Sequence, residues 1–178
     1  MKQKWEMDAS NPSEYHCVEA RRGREFILRL KTGAEIVQAV QKFAEENHIK
    51  FAKIHAAFMG GLKPVKFAVW SPDTNNPDNI FHESTATVHN LSMVLSMGGM
   101  IEERSDGQKR VTFSPTHFVA GAGWDVPTFG GHLIEGIVQG TCEFFITEIL
   151  GIDILLPSDA KSSAQRYPEN WFKQVKDA

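Results

Sequence analysis

The feature that most limits what this 178-residue chain can fold into is the stretch from Phe81 to Leu150, where no helical pattern appears and strand-like runs are punctuated by glycine. The runs are TATVH, LSMVLSMGGMI, KRVTFSPTHFVAG, GGHLIEGIV and TCEFFITEIL. Asp106-Gly107, between IEERS and QKRVTF, is a dipeptide that tight hairpins favour because its residues tolerate positive φ. Such a series of strands has to bury one face and satisfy its edges. The expected architecture is therefore α+β: a mainly antiparallel, barrel-like sheet with one main helix packed against it.

The helix comes earlier. REFILRLKT alternates as a strand. Thr32-Gly33-Ala34-Glu35 then has the spacing of a capping box, with Thr32 as the cap. Behind it Ile36, Val37, Val40, Phe43 and Ala44 share one helical face, and Asn47-His48 supplies a left-handed stop. FAKIHAAFMGGL reads as a further strand ended by a turn or bulge at Gly60-Gly61, with KPVKFAVW as its partner and SPDTNNPDN as a loop. The expected organisation is an N-terminal arm over 1–22, one domain over 23–150, and a C-terminal extension over 151–178 with a short helix after Pro168. Trp171 and Phe172 are expected to dock on the body or on a neighbouring subunit.

Composition narrows the function classes. With 19 Lys+Arg against 22 Asp+Glu, the formal charge of −3 provides no global field to attract nucleic acid. The two cysteines, Cys17 and Cys142, form no C-x-x-C, which argues against a zinc ribbon or redox motif and for reduced thiols. No apolar run has the length of a signal peptide or a membrane span, so the expected location is cytoplasmic, with no membrane partner. No G-x-S-x-G is present, and no P-loop or dinucleotide fingerprint follows a strand.

Several segments in order resemble the PPC domain of plants and prokaryotes, also called domain of unknown function 296. They are Gly23-Arg24 leading into LRLKTGAEI, then MGGL, then LSMGGMI, and finally THFVAGAGWDVPTFGGHLIEG with TCEFFI. The resemblance covers about residues 21 to 150 and is of the prokaryotic stand-alone type. It implies an α+β fold, a homotrimer, and an association with DNA that carries no settled activity. Some prokaryotic members are similar to metal-binding proteins that hold zinc through an H-x-H pair and the Gly-Gly-His stretch. Here the pair falls on Pro115-Thr116-His117, so Pro115 stands where the first histidine would be. The partner-contacting motif of plant members falls loosely on Asn90 to Leu95. RRGRE lacks the proline of an AT-hook, and Glu25 takes its place.

His117 and His132 are accordingly the candidate metal ligands, for zinc, with a third group required from Glu135, His55, His89 or another subunit. The competing reading is two structural histidines that bond to backbone or carboxylate. Strict alternation would put Glu135 on the opposite face from His132 unless a bulge intervenes. Gly60, Gly61, Gly130 and Gly131 are candidate ligand or interface positions, since bare backbone admits close approach. Trp124 is a candidate contact residue, while Asp125 in the same loop reads as a turn residue rather than a base. Arg21, Arg22 and Arg24 read as a solvated approach to the first strand, able to touch phosphate. No catalytic residue is assigned. The leading expectation is a homotrimeric binding or regulatory module with a DNA association drawn from family resemblance. The alternative is a small-molecule or metal-dependent site in an inter-subunit cleft near His117 and His132.

Overall fold

A strand can pair with only two neighbours at any point along its length, so a strand that serves many partners must be long. The computed structural model of the protein describes residues 17–55, 58–71, 82–105, 110–113, 116–121, 127–154 and 172–175. Its organising element is β8, Phe129–Leu150, a strand of 22 residues. The first stretch of β8 lies between β7 (Thr116–Gly121) and β3 (Phe58–Ser71). Its last stretch lies between β1 (Arg21–Lys31) and β2 (Phe51–Ile54). β5, Ser92–Ser105, closes the structure by pairing with β2, β3, β6 (Arg110–Phe113) and β7, and β4 (His82–Val88) flanks β3. Every pairing is antiparallel, and β8, β2, β5 and β3 form a ring that is not a clean barrel.

Two strands are longer than the sequence suggests. Gly60-Gly61 does not end a strand. It sits inside β3 at a register shift against β8, and KPVKFAVW continues that strand instead of pairing with it. GGHLIEGIV and TCEFFITEIL likewise form one strand. They join through Gly140, whose φ of +85° suits glycine and whose N–H and C=O both bond to Thr32 Oγ1, at 2.9 and 2.8 Å.

That contact explains a second difference. The expected capping box fails because Thr32 is occupied by β8, and the cap of α1 (Ile36–Glu46) is Glu35. Its carboxylate accepts from Val37 N at 3.2 Å and Gln38 N at 2.7 Å, supplying two of the orphan amides of the first turn. The helix stops where expected, with His48 at φ 54°. Ile36, Val40 and Ala44 are fully buried among Leu62, Val65, Val138 and Phe144. Ile36 and Val40 each contribute about 1.5–3 kcal/mol by this burial, and the single methyl of Ala44 less.

Both cysteines are free. Burial pushes the Cys142 thiol up to about 12, with the charge of Glu143 adding to the effect, whereas Cys17 is exposed. The described part of the C-terminal extension is extended: β9 (Ile152–Ile154) pairs with β10 (Phe172–Gln174), so Phe172 is a strand residue paired with Ile154 inside the extension, in place of the expected short helix. Trp171 lies outside the described residues.

Arg24 fastens three elements together. Its guanidinium donates to Glu148 through Nε at 2.8 Å and Nη2 at 2.9 Å, and also to the carbonyl of Asn47 at the end of α1, at 2.9 Å. The hydrogen bond from Arg24 holds the Glu148 carboxyl below the usual carboxylate range against the opposing effect of burial. Glu148→Gln is expected to cost about 1–2 kcal/mol at neutral pH, the scale of a partly exposed charged hydrogen bond. Because the folded value is the lower one, this stabilisation is complete above the ordinary carboxylate value and is lost as pH falls through the depressed one. Denaturant melts of wild type and variant should therefore differ at pH 7 and converge under strongly acidic conditions. A gap independent of pH would contradict the assignment.

Candidate functional site

The register of β7 against β8 sets His117 directly opposite His132, with Phe118 opposite Gly131 and Val119 opposite Gly130. The two imidazole rings lie 5.1 Å apart between centroids at 70°, edge to face. His117 is exposed and His132 is partly buried. The pair that the sequence placed fifteen residues apart is thus a cross-strand neighbour pair on the outer face of the sheet.

The inner face behind it is aromatic. Phe118 and Phe67 meet edge to face at 5.5 Å, and Phe129 stacks on Phe67 at 5.5 Å. Gly130 and Gly131 are where β8 is pressed between its neighbours. A Cβ on Gly130 would lie 2.1 Å from the carbonyl oxygen of Phe118, and one on Gly131 would lie 2.3 Å from that of Ala68. The space that a side chain at these glycines would need is taken by the backbone of the subunit's own β7 and β3. Gly60 is similar, with the carbonyls of Gln139 and Thr141 each 3.0 Å from a would-be Cβ. Gly61 faces the tip of Leu91 at 2.5 Å, a flexible neighbour that could move.

A bulge does intervene beside His132. Lys66 pairs with Glu135 and Phe67 with Leu133, so Ile134 is the extra residue. Leu133 and Gly136 are both buried while Glu135 is exposed, which brings Glu135 to the outer face that His132 shares. The other suggested third ligands are elsewhere. His55 bonds to Thr147, at the far end of β8 from His132, and His89 is exposed just after β4. Among the described residues no group of three or more His, Cys, Asp or Glu side chains could hold a metal ion. Two imidazoles alone fall short of the three protein ligands that a zinc site requires. Pro115, Trp124 and Asp125 lie outside the described residues.

A second polar cluster was not assembled from the sequence. The run Arg21-Arg22-Gly23-Arg24 is divided by a bulge in β1, where Arg22 pairs with Ile149 and Glu25 with Thr147. Arg24 therefore goes to Glu148, as described, while Arg22 forms an ion pair with Glu25. This ion pair holds the Glu25 carboxyl below, and the Arg22 guanidinium above, their ordinary values. Thr147 donates to Glu25 at 3.1 Å. A hydroxyl has a single proton, so at the 2.7 Å contact between Thr147 Oγ1 and His55 Nε2 the imidazole is the donor. Arg21, Arg22, Lys53, His55, Thr147 and Ile149 line a cleft of about 330 Å³ on the outer face of β1, β8 and β2.

Fold and site together define a class: a small α+β protein with a helix-backed antiparallel ring and a surface histidine pair. The profile of the Plants and Prokaryotes Conserved (PCC) domain matches residues 18–150, and the chain belongs to this family, as the sequence resemblance implied. No curated protein matches the sequence. Among solved structures, a plant- and prokaryote-conserved (PPC) protein of Pyrococcus horikoshii superposes with a TM-score of 0.65 at 22% identity, covering 89% of this chain and 96% of that one. A metal-containing protein of Archaeoglobus fulgidus gives 0.60 at 21% identity, covering 89% and 97%. A "putative DNA binding protein" of Bacteroides thetaiotaomicron gives 0.56 at 20% identity, covering 72% and 82%. At these identities the likeness establishes the fold.

The glycine geometry has a direct test. Gly130→Ala forces a methyl group into the Phe118 carbonyl, and overpacking of this kind costs about 1–3 kcal/mol. A fall in Tm of roughly 2–10 °C is expected, and Gly33→Ala serves as a comparison for positive φ without crowding. An unchanged Tm for Gly130→Ala would show that β7 and β8 are not packed this closely.

Proposed function

We propose that the protein is a binding or regulatory module that works as a homotrimer and associates with DNA. The observation that carries the assembly is a row of exposed apolar side chains. Leu91 is 56% exposed, Met93 62% and Leu95 58%, with Val119 on the neighbouring strand at 41%. Alternation along β5 turns this row outward while Ser92 and Val94 turn inward, so the exposure follows from the strand itself and not from a frayed end. Contiguous exposed apolar surface of this kind suits contact with another protein surface. It coincides with Asn90 to Leu95, where the resemblance places a partner-contacting motif. Three copies is the number that the family resemblance implies.

The association with DNA is supported by relatedness alone, through structural neighbours such as those of Bacteroides thetaiotaomicron and Ralstonia eutropha, both designated putative DNA-binding proteins. The charge of −3 means that any such contact depends on a local basic region or on the arrangement of subunits. Light scattering coupled to gel filtration should give three times the 19.9 kDa chain mass, and Met93→Asp should shift the protein towards monomer. A wild type that runs as a monomer at micromolar concentration would sink the trimeric reading. An electrophoretic shift with duplex DNA should appear at low salt and weaken steeply as salt rises; no shift even at low salt removes DNA from the proposal.

The histidine pair favours a second reading, a zinc site completed across a subunit boundary. His117 and His132 would supply two neutral imidazoles, and Val119, two residues from His117 on the same face, belongs to the apolar surface that another copy would cover. Elemental analysis of the purified protein is expected to find zinc in wild type and to lose it in His132→Ala, with chelator lowering the wild-type Tm. Background metal together with an unchanged Tm in chelator would refute this reading.

A further inference from the structure

We infer that the cleft between β1, β8 and β2 is a binding site for a small phosphate monoester, separate from the histidine pair. The cleft brings together Arg21, Arg22, Lys53 and His55, which come from two distant parts of the sequence. Antiparallel pairing places them side by side: Lys53 and Glu25 both stand opposite Thr147, on its two edges. One carboxylate, Glu25, is close by, and its charge is taken by Arg22. Among the described residues Arg21 and Lys53 carry no ion pair, so two positive charges remain directed at a concave surface. Isolated surface cations are ordinary. Two without counter-charges around one cleft, beside an imidazole, are the arrangement that a compact dianion satisfies.

The wall of the cleft is held by hydrogen bonds rather than left to side-chain freedom. Arg22, Glu25, Thr147 and His55 form a continuous chain of contacts, so the imidazole is fixed before any ligand arrives. The volume of about 330 Å³ is at the lower end of small-molecule sites and suits a phosphate with a modest body attached. Apolar surface for that body is at hand. Ile149 lines the cleft, and one step along the same face Ile27 and Phe145 stand opposite each other, 70% and 40% exposed. A flat groove that tracks a long nucleic-acid backbone would carry its cations in a row, whereas these converge on one cleft.

Calorimetric titration and thermal shift can test this on the full chain, with inorganic phosphate, phenyl phosphate, short duplex DNA, and sodium chloride at matched ionic strength as probes. Phosphate should raise the wild-type Tm beyond chloride, and phenyl phosphate should bind several-fold more tightly than inorganic phosphate. The double variant Arg21→Gln/Lys53→Gln should weaken phenyl phosphate binding by about tenfold or more, while Lys42→Gln on the exposed face of α1 should leave it unchanged. Both substituted side chains are exposed, so the ligand-free Tm of the double variant should match wild type; if it does not, Lys53→Gln alone is read in its place. The inference is overturned if phosphate and chloride act alike or if the variant binds as wild type does. It is also overturned if duplex DNA uses Arg21 and Lys53 while neither phosphate binds. These readouts depend on neither the oligomeric state nor the histidine pair, so failure here and failure of the trimeric or zinc readings are distinguishable.

Discussion

Main-chain pairing along both edges of β8 is the constraint on which the rest of this molecule depends. β8 pairs with β7 and β3 on its first stretch and with β1 and β2 on its last, and it holds α1 through the loop that leads into the helix. The helix is tied down by the same strand. Glu35, while capping α1, also accepts the N–H of Gly136 at 3.1 Å, and the backbone of Val138 exchanges hydrogen bonds with Gly33 and Ala34 at 2.9 Å each. One carboxylate thus satisfies two helix amides and one strand amide, and the helix cannot shift along the sheet without leaving a buried donor unpaired.

The local features of this fold were legible in the sequence, and the long-range ones were not. The stripe of α1, its left-handed stop at His48 and the alternation of β1 come from side chains within a few residues of each other, and the structure places them where the periodicity does. Glycine pairs were legible as special positions but ambiguous in meaning. Gly60-Gly61 has the chemistry of a strand stop, yet glycine there lets β3 continue past the backbone of β8 through a register shift. Thr32 had the spacing of a cap, and only its contact with Gly140, 108 positions away, diverts it. Turn chemistry and backbone crowding select the same residue type, so the sequence alone does not separate them.

The two surface clusters show the same division. His117 and His132 could be singled out because a short loop joins their strands and the residue types suggest a ligand set. What the sequence concealed was the bulge at Ile134, which reverses the face assigned to Glu135. The basic cleft stayed hidden because its parts are ordinary in isolation: two arginines ahead of a strand, a lysine and histidine in another, and a threonine near the end of a third. Pairing of β8 with both β1 and β2 is what turns them into a constellation.

The order of pairing also governs when the fold can form. β1 has β8 as its neighbour in the sheet, and the innermost pair of that ladder joins Lys31 to Thr141. A chain leaving the ribosome at about 5–20 residues per second therefore extends β1 many seconds before its partner emerges. Through that interval Phe26, Leu28 and Leu30 have no sheet to cover them, and the unpaired edge is an invitation to other extended chains. The charged residues spaced through the strand, Arg24, Glu25, Arg29 and Lys31, act during this wait as well as in the finished protein. Charges along an open strand edge discourage association with another copy until β8 arrives to take it.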